Sequence, residues 1–327
     1  MSPRPAPLPE RLGPLFSVAA ARELDLTRSR LRAKDLAAPR RGVRRSRELA
    51  PEVTGLNTFE RCRAEELRRI LEVAEILQES QFLSHRSAAL LWQAPVPHRP
   101  GAMVHASVLA PRRAPRAHGV VGHNLHPDRC AVTERAGLRL TTPAITWAQL
   151  GELSVPDLVV LGDFLVRKYR AGYGRRNVGK RPLATIDELA SVLALGRWPG
   201  AVKLRRALEL IREDSWSPQE SLIRLQLGDA GVPEPELNGD VYDDDGVFLA
   251  CIDLVFREYK VGVEYQSDLH SDRYAKDVER IAALRHHGWN IIEATRALNG
   301  RPGVLPARVF RALRERGWPG APRIPRI

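Results

Sequence analysis

Two acidic residues near the C-terminal end of the chain stand where they could do chemistry. Asp253 closes the apolar run Ile252-Asp253-Leu254-Val255. Glu264 lies inside Val261-Gly262-Val263-Glu264-Tyr265-Gln266, two residues before a long polar side chain, and His270 follows four residues later. Arg257-Glu258-Tyr259-Lys260 between the runs reads as a tight turn. Two strands joined in this way lie side by side, so Asp253 and Glu264 meet at one edge. Carboxylates at close range repel each other. A hard cation between them removes the repulsion, and Mg²⁺ is commonly held by one or two carboxylates plus substrate phosphate. Phosphodiester hydrolysis needs in-line attack by water, neutralisation of developing charge and help for the leaving oxygen, which such a site provides.

The surrounding residues fill out that chemistry. Asp253 and Glu264 are the candidate metal ligands for Mg²⁺, with Mn²⁺ as an alternative ion and the Tyr265 carbonyl as a third ligand. Glu220, in Ser217-Pro218-Gln219-Glu220, can reach the same centre from a helix, but it is equally explained as the third residue of a capping box. Gln266 orients water but carries no charge, or is simply a polar strand residue. His270 titrates near neutral pH and suits a base or a leaving-group acid, or it is a loop histidine. Lys276 could supply positive charge from the next helix. Asp277 and Arg280 could pair across one turn.

The elements that must position these groups follow from the pattern. A helix opens at Ser217, a strand starts near Glu236, and Asp243-Asp244-Asp245-Gly246 makes a hairpin turn. That turn begins like a calcium loop but lacks the spaced Glu at its end. Phe248–Phe256 and Val261–Tyr265 read as strands, Arg273–His287 as a helix stopped by Gly288, and Trp289–Ala294 as a closing strand. The order is α-β-β-β-α-β.

That order, with Glu220, Asp253 and Glu264-Tyr265-Gln266, resembles the PD-(D/E)XK nuclease superfamily. More closely, residues 216–294 resemble an actinobacterial domain family related to very-short-patch-repair endonucleases. The matching pieces are Glu220, Ile252-Asp253, Val263-Glu264-Tyr265-Gln266, His270, Asp277-Val278-Glu279-Arg280 and Gly288-Trp289. The resemblance implies a restriction-endonuclease-like core with Glu220, Asp253, Glu264, Gln266 and His270 at its catalytic centre. The sequence departs from relatives at Gln266-Ser267, where Asp-Gly is frequent and where the superfamily often has Lys. It also shows no sign of the zinc site of the repair enzymes, so no zinc is expected.

The rest of the chain is basic. Lys and Arg number 51 against 39 acids, a net charge of +12. The excess lies ahead of residue 219, so one part is suited to hold a polyanion and another to cut it. Residues 15–47 read as helix, turn, helix and basic wing. Phe16–Leu24 has helical periodicity, Thr27 caps a second helix carrying Arg28, Arg30, Arg32 and Lys34, and Arg41, Arg44 and Arg45 flank a hairpin bend at Gly42. Such a motif lays its second helix in the major groove while flanking cations hold phosphates. Residues 15–170 also resemble, more loosely, AbiEi-type abortive-infection antitoxins.

Residues 59–80 predict a long amphipathic helix, and Ser84 caps a short one over His85–Trp92. Strands are expected near Met103–Leu109, Gly119–His123 and Leu138–Thr141, followed by helices over Thr142–Leu150 and Asp157–Tyr169. Six of the nine histidines fall between His85 and His126 without a metal-ligand spacing, and they read as scattered surface and phosphate-facing residues. Residues 171–182 form a Gly-rich basic loop or linker without the P-loop pattern. Ile186–Leu195 and Ala201–Ile211 are further helices.

The expected whole is a multidomain α+β protein. A winged helix-turn-helix spans residues 1–54, an α+β middle domain with a linker helix spans 55–200, and the endonuclease-like domain spans 201–327. Cys62, Cys130 and Cys251 make no disulfide framework, and no apolar run is long enough to span a membrane, so a cytoplasmic protein is expected. The leading expectation is a metal-dependent endonuclease acting on double-stranded DNA in repair or defence, with any toxin or repair partner left open. The alternative is a DNA-binding regulator or antitoxin-like protein with an inactive nuclease fold. RNA is disfavoured because the basic segment lacks an aromatic stacking platform.

Overall fold

The computed structural model describes residues 5–47, 55–266, 271–295, 298, 300–301 and 303–320. The chain is mixed α+β and divides into two compact units, Met1–Leu150 with Ser191–Pro199, and Gly151–Ala190 with Gly200–Ile327. No helix among the described residues is long and apolar enough to cross a membrane.

The first unit opens with β1 (Leu15–Ser17), α1 (Val18–Glu23), β2 (Leu36–Ala37) and β3 (Val43–Ser46), in a sheet of order β1-β3-β2. Ser17 caps α1 by accepting from the Ala20 N–H at 3.0 Å, so Phe16 belongs to the strand and not to the helix. The expected second helix is absent. Residues 27–34 hold turns and a single 3-10 turn, Arg30–Arg32. The Arg30 guanidinium folds back onto the Asp35 carboxylate at 2.7 and 3.0 Å, and Leu31 and Leu36 bury with Phe16 and Ala21. That local fork and two apolar anchors five residues apart favour a closed turn over a helical stripe. The bend at Gly42 forms as expected, with φ at +86°.

Then come α2 (Thr58–Ala74), β4 (Gln81–Leu83), α3 (His85–Leu91), β5 (Val104–Leu109), β6 (Val120–Leu125), β7 (Val132–Arg135), β8 (Leu138–Thr141) and α4 (Pro143–Ala148). Asn57 and Glu60 make a reciprocal capping box at the start of α2. A buried pair, Arg86 with Glu66 at 2.9–3.2 Å, ties α3 to α2. The five strands run in the order β6-β5-β4-β8-β7, with β5 parallel to β6 and antiparallel to β4.

The second unit begins earlier in the chain than expected. Residues 151–190, expected in a middle domain, pack with the C-terminal elements. The reason is α5 (Val155–Val166), which carries the fully buried Asp163. Its carboxylate accepts from the Arg212 N–H at 2.7 Å, the Ser221 hydroxyl at 2.7 Å and the Arg224 guanidinium at 3.2 Å. A carboxylate out of water needs such partners. The helices α6 (Ile186–Ala194), α7 (Ala201–Leu210) and α8 (Pro218–Asp229) follow.

Next come β9 (Glu236–Tyr242), β10 (Phe248–Phe256), β11 (Val261–Gln266), α9 (Ser271–His286), β12 (Asn290–Thr295) and α10 (Val304–Glu315). The sheet order is β12-β11-β10-β9. β9, β10 and β11 are antiparallel neighbours, whereas β12 returns through α9 to pair parallel with β11. Parallel neighbours need such a crossover. One core groups Ile223, Leu227, Val263, Leu305 and Leu313. A second groups Ile252, Leu284, Trp289 and Ile291, so helices cover both faces. The hairpin turn is held by Asp243, whose carboxylate accepts from the Asp245 and Val247 N–H groups.

Candidate active site

Alternation along β11 sends Val261 and Val263 to one core and leaves Glu264 on the face toward α9. There the Arg280 guanidinium grips both oxygens of Glu264, one of them at 2.8 Å, and Glu264 is only 4% exposed. Tyr265 packs against the opposite core, as expected for a structural residue. Gln266 is half-buried on the last rung of the β11–β12 ladder, beside Thr295. His270 and the side chains of Lys276 and Asp277 lie outside the described residues, so the expected Asp277–Arg280 pair does too.

Asp253 stands where the β10–β11 ladder stops. The last paired rung is Leu254 with Val263. Beyond it the Asp253 carboxylate takes over, accepting from the Tyr265 N–H at 2.8 Å. Burial pushes the Asp253 carboxyl up to about 7, and the charges of Glu220 and Glu264 push the same way. The Tyr265 N–H and Arg280 oppose them without prevailing. Asp253 is therefore an acid that burial and two neighbouring carboxylates hold in its protonated form up to about neutral pH.

Glu220 is the third residue of α8 and is 5% exposed. One of its carboxylate oxygens accepts from the Trp216 N–H at 2.8 Å and from the Asn238 amide at 2.6 Å, while Ser217 caps the Glu220 N–H. Half of the expected capping box forms: Ser217 caps the helix, but the Glu220 carboxylate takes the Trp216 N–H instead of that of Ser217, and it lies close enough to Asp253 to disfavour its ionisation. Asp253, Glu220 and Glu264 form an electrostatically coupled acidic group built from α8, β10 and β11. Among the described residues, the side chains close enough to share one metal ion are a different set, His85, His105 and His123.

A cationic neighbourhood adjoins the acids that the sequence did not reveal. The loop after α5 is folded onto β9 rather than serving as a linker. Arg170 and Arg175 donate to the Asn238 carbonyl at 2.6 and 3.2 Å, and Arg175 also donates to the Asp240 carboxylate at 2.5 Å. The guanidiniums of Arg167, Arg170 and Arg175 stack over the Trp216 ring at 4.9–6.0 Å. Asn238 bridges this group to Glu220. Arg176, Lys180 and Arg181 at the loop surface are exposed, and exposed Tyr173 stacks on Phe248. The basic, Gly-rich character of 171–182 was visible; its attachment beside the acids was not, because it depends on contacts about sixty residues apart.

The expected DNA-binding cations divide in two. Arg28, Arg32, Lys34 and Arg41 are exposed. Arg30 is committed to Asp35 and the Ala6 carbonyl, Arg44 to the Leu31 and Val43 carbonyls, and Arg45 to Glu72. These three hold the N-terminal fold together. The histidines also differ from expectation. His98, His118 and His126 are exposed, but His85, His105 and His123 gather on one face of the five-stranded sheet. The parallel register of β5 and β6 and the turn from β4 into α3 bring them together.

Two proteins of Mycobacterium tuberculosis, named "Uncharacterized protein MT2308" and "Uncharacterized protein Rv2248", are each 27% identical to this chain over 205 residues. The similarity covers 61% of this chain and 70% of theirs. No family model matches the chain, and no solved structure does.

Proposed function

We propose that the second unit is a metal-dependent endonuclease domain with a restriction-endonuclease-like α-β-β-β-α-β core of the PD-(D/E)XK kind, cleaving one or both strands of duplex DNA. The observation that carries this reading is the acidic group itself. Three carboxylates from α8, β10 and β11 lie within electrostatic reach, and one of them holds its proton to about pH 7. A fold with no use for Asp253 would be better served by Asn, which keeps the acceptor for the Tyr265 N–H without the charge.

The donor set is all oxygen, which suits Mg²⁺ or Mn²⁺. Asp253 and Glu264 would hold the ion, and when bound it would offset charge on the phosphate and ease deprotonation of a water. The chain supplies the rest. The Tyr265 N–H fixes the Asp253 carboxylate, and Trp216 and Asn238 fix Glu220. Arg280 neutralises Glu264 from α9 and is positioned to yield part of that role to a cation. Gln266 orients through hydrogen bonds without adding charge. The exposed cations Arg176, Lys180 and Arg181 suit the phosphate backbone, as do Arg28, Arg32, Lys34 and Arg41 of the first unit. Such a domain serves either repair or defence.

One observation favours a second reading, a DNA-binding regulator with an inert nuclease fold. Arg280 pairs with both oxygens of Glu264, so the chain's own residues can satisfy that carboxylate. Incubation with supercoiled plasmid in Mg²⁺ or Mn²⁺ separates the two. The endonuclease reading expects nicked or linear product, lost in folded Asp253→Ala and Glu264→Ala proteins. A band shift with no product in either metal supports the regulator.

A further inference from the structure

The first unit holds a cluster of imidazoles that the nuclease reading does not use. His85 is the first residue of α3, His105 lies on β5 and His123 on β6. In the parallel β5–β6 ladder His105 pairs with Val121 and Ser107 with His123, so the two histidines are diagonal neighbours on one face. The Ser84 N–H donates to the His105 carbonyl at 3.2 Å, which sets the start of α3 over the same strand. His85 there has φ at +49°, a left-handed conformation uncommon for a residue with a side chain, and its N–H donates to Gln149 Oε1 at 2.8 Å. Backbone held in such a region is over-determined by its surroundings.

The rings pack closely: His105 Nδ1 and His123 Nε2 are 3.0 Å apart, and His85 stacks on His123 with ring centroids 3.9 Å apart and planes 18° apart. One nitrogen from each of the three lies within 4.8 Å of the others. Nitrogens bound at about 2.0–2.1 Å to one tetrahedral zinc lie roughly 3.3 Å apart, so an ion would draw in the widest pair and turn the stacked rings until each nitrogen faces it.

The protonation state suits a ligand set. Burial and mutual repulsion push His85 down to about 3 and His105 to about 4, and burial lowers His123. Burial thus favours the neutral imidazole in all three, the form that metal ligation requires. No acid is among the groups that shift them, so the cluster is not an ion-pair network. The nearby cations Arg86 and Arg99 act on His105, and Arg86 is matched by the buried Glu66.

A supporting layer is present as well. His85 Nδ1 is 3.0 Å from Ser84 Oγ, which also accepts from the Ser107 hydroxyl at 2.6 Å. An Nδ1–H donated to Ser84 leaves Nε2 as the ligand atom, the usual arrangement for a metal-bound histidine. Gln149, 4% exposed, spends its oxygen on the His85 N–H, and its amide nitrogen is buried with no hydrogen-bond partner. All three histidines are only half-buried, so solvent reaches the cluster.

We propose that His85, His105 and His123 form a binding site for a zinc-class divalent transition metal, with three protein imidazoles and a fourth position open to water or an anion. Imidazole selects zinc, cobalt, nickel or copper over Mg²⁺, so this site differs in metal from the carboxylates of the second unit. Three protein ligands plus an open position are the pattern of a reactive rather than a purely structural zinc site.

The test uses the full chain without a histidine tag, stripped with EDTA and titrated with Co²⁺ as a visible reporter. The expected result is one equivalent of tetrahedral Co²⁺ absorption per chain, bleached by Zn²⁺. His105→Gln and His123→Gln should each weaken binding at least about 100-fold, since even loss of a supporting hydrogen bond costs 10–100-fold. His118→Gln and Asp253→Asn should leave it unchanged. Circular dichroism checks that the variants fold, and the wild-type melt provides a measurement independent of them, because Zn²⁺ should raise its midpoint. No tetrahedral spectrum in the folded wild-type chain, or a spectrum that survives in both variants, overturns the site.

Discussion

Asp253 sits where a carboxylate is costly, at the end of a ladder, partly buried and facing two other acids. Its carboxyl is raised from 3.8 to about 7. The folded state therefore binds this proton more tightly than the unfolded chain does, and the stability that it contributes is present below 3.8 and lost as pH rises through about 7. Without metal, the melting midpoint of the second unit should fall between pH 5 and pH 8. Asp253→Asn should flatten that profile and raise the midpoint at pH 8 by several degrees, while removing any cleavage. Thermal melts in EDTA decide this, and parallel profiles for the two proteins would count against the electrostatic account. The acids themselves were legible in sequence, because an acid among Ile252, Leu254 and Val255 must have a partner. The partner of Glu264 was legible only in part. Arg280 was singled out, but as a partner for Asp277; its bond to Glu264 crosses from α9 to β11.

At the scale of elements, local signals with a mechanism carried through and others did not. The Ser217-Pro218-Glu220 capping box predicts α8, and α8 begins there. The Asp243–Gly246 turn and the strands flanking it were equally visible. β4 was missed because three residues, Gln81-Phe82-Leu83, are too short for periodicity to register. The second N-terminal helix was expected from a run of cations, yet Arg30 has a carboxylate within five residues and takes it. The histidine trio could not be read from spacing, since parallel strands place His105 and His123 together through a crossover. The junction of α5 with α8 rests on Asp163 and Arg224, each 2% exposed in its side chain. Asp163→Ala leaves Arg224 buried with the Leu210 carbonyl and the half-exposed Glu234 as partners. That should cost the second unit about 3–5 kcal/mol, read as a lower denaturation midpoint in urea.

For the whole molecule, the charge of +12 is unevenly used. Many arginines are structural, stacked on Trp216 or paired with acids, and the cations left at the surface are fewer than the sequence total suggests. If Arg176, Lys180 and Arg181 hold phosphates, replacing all three with Ala should make the dependence of DNA affinity on salt shallower by about 2–3 in log–log slope, near 0.9 per contact. An unchanged slope would assign duplex binding to Arg28, Arg32, Lys34 and Arg41 instead. The central claim is that Asp253 and Glu264, the carboxylates of β10 and β11, take a hard cation. Its most direct test is calorimetric titration of Mg²⁺ into the metal-free chain at pH 6.5, in two buffers of different ionisation heat. The account predicts one binding event that releases a proton, seen as a buffer-dependent heat, and its loss in Asp253→Asn. Absence of binding at millimolar Mg²⁺, or binding that is the same in the variant and releases no proton, would contradict it.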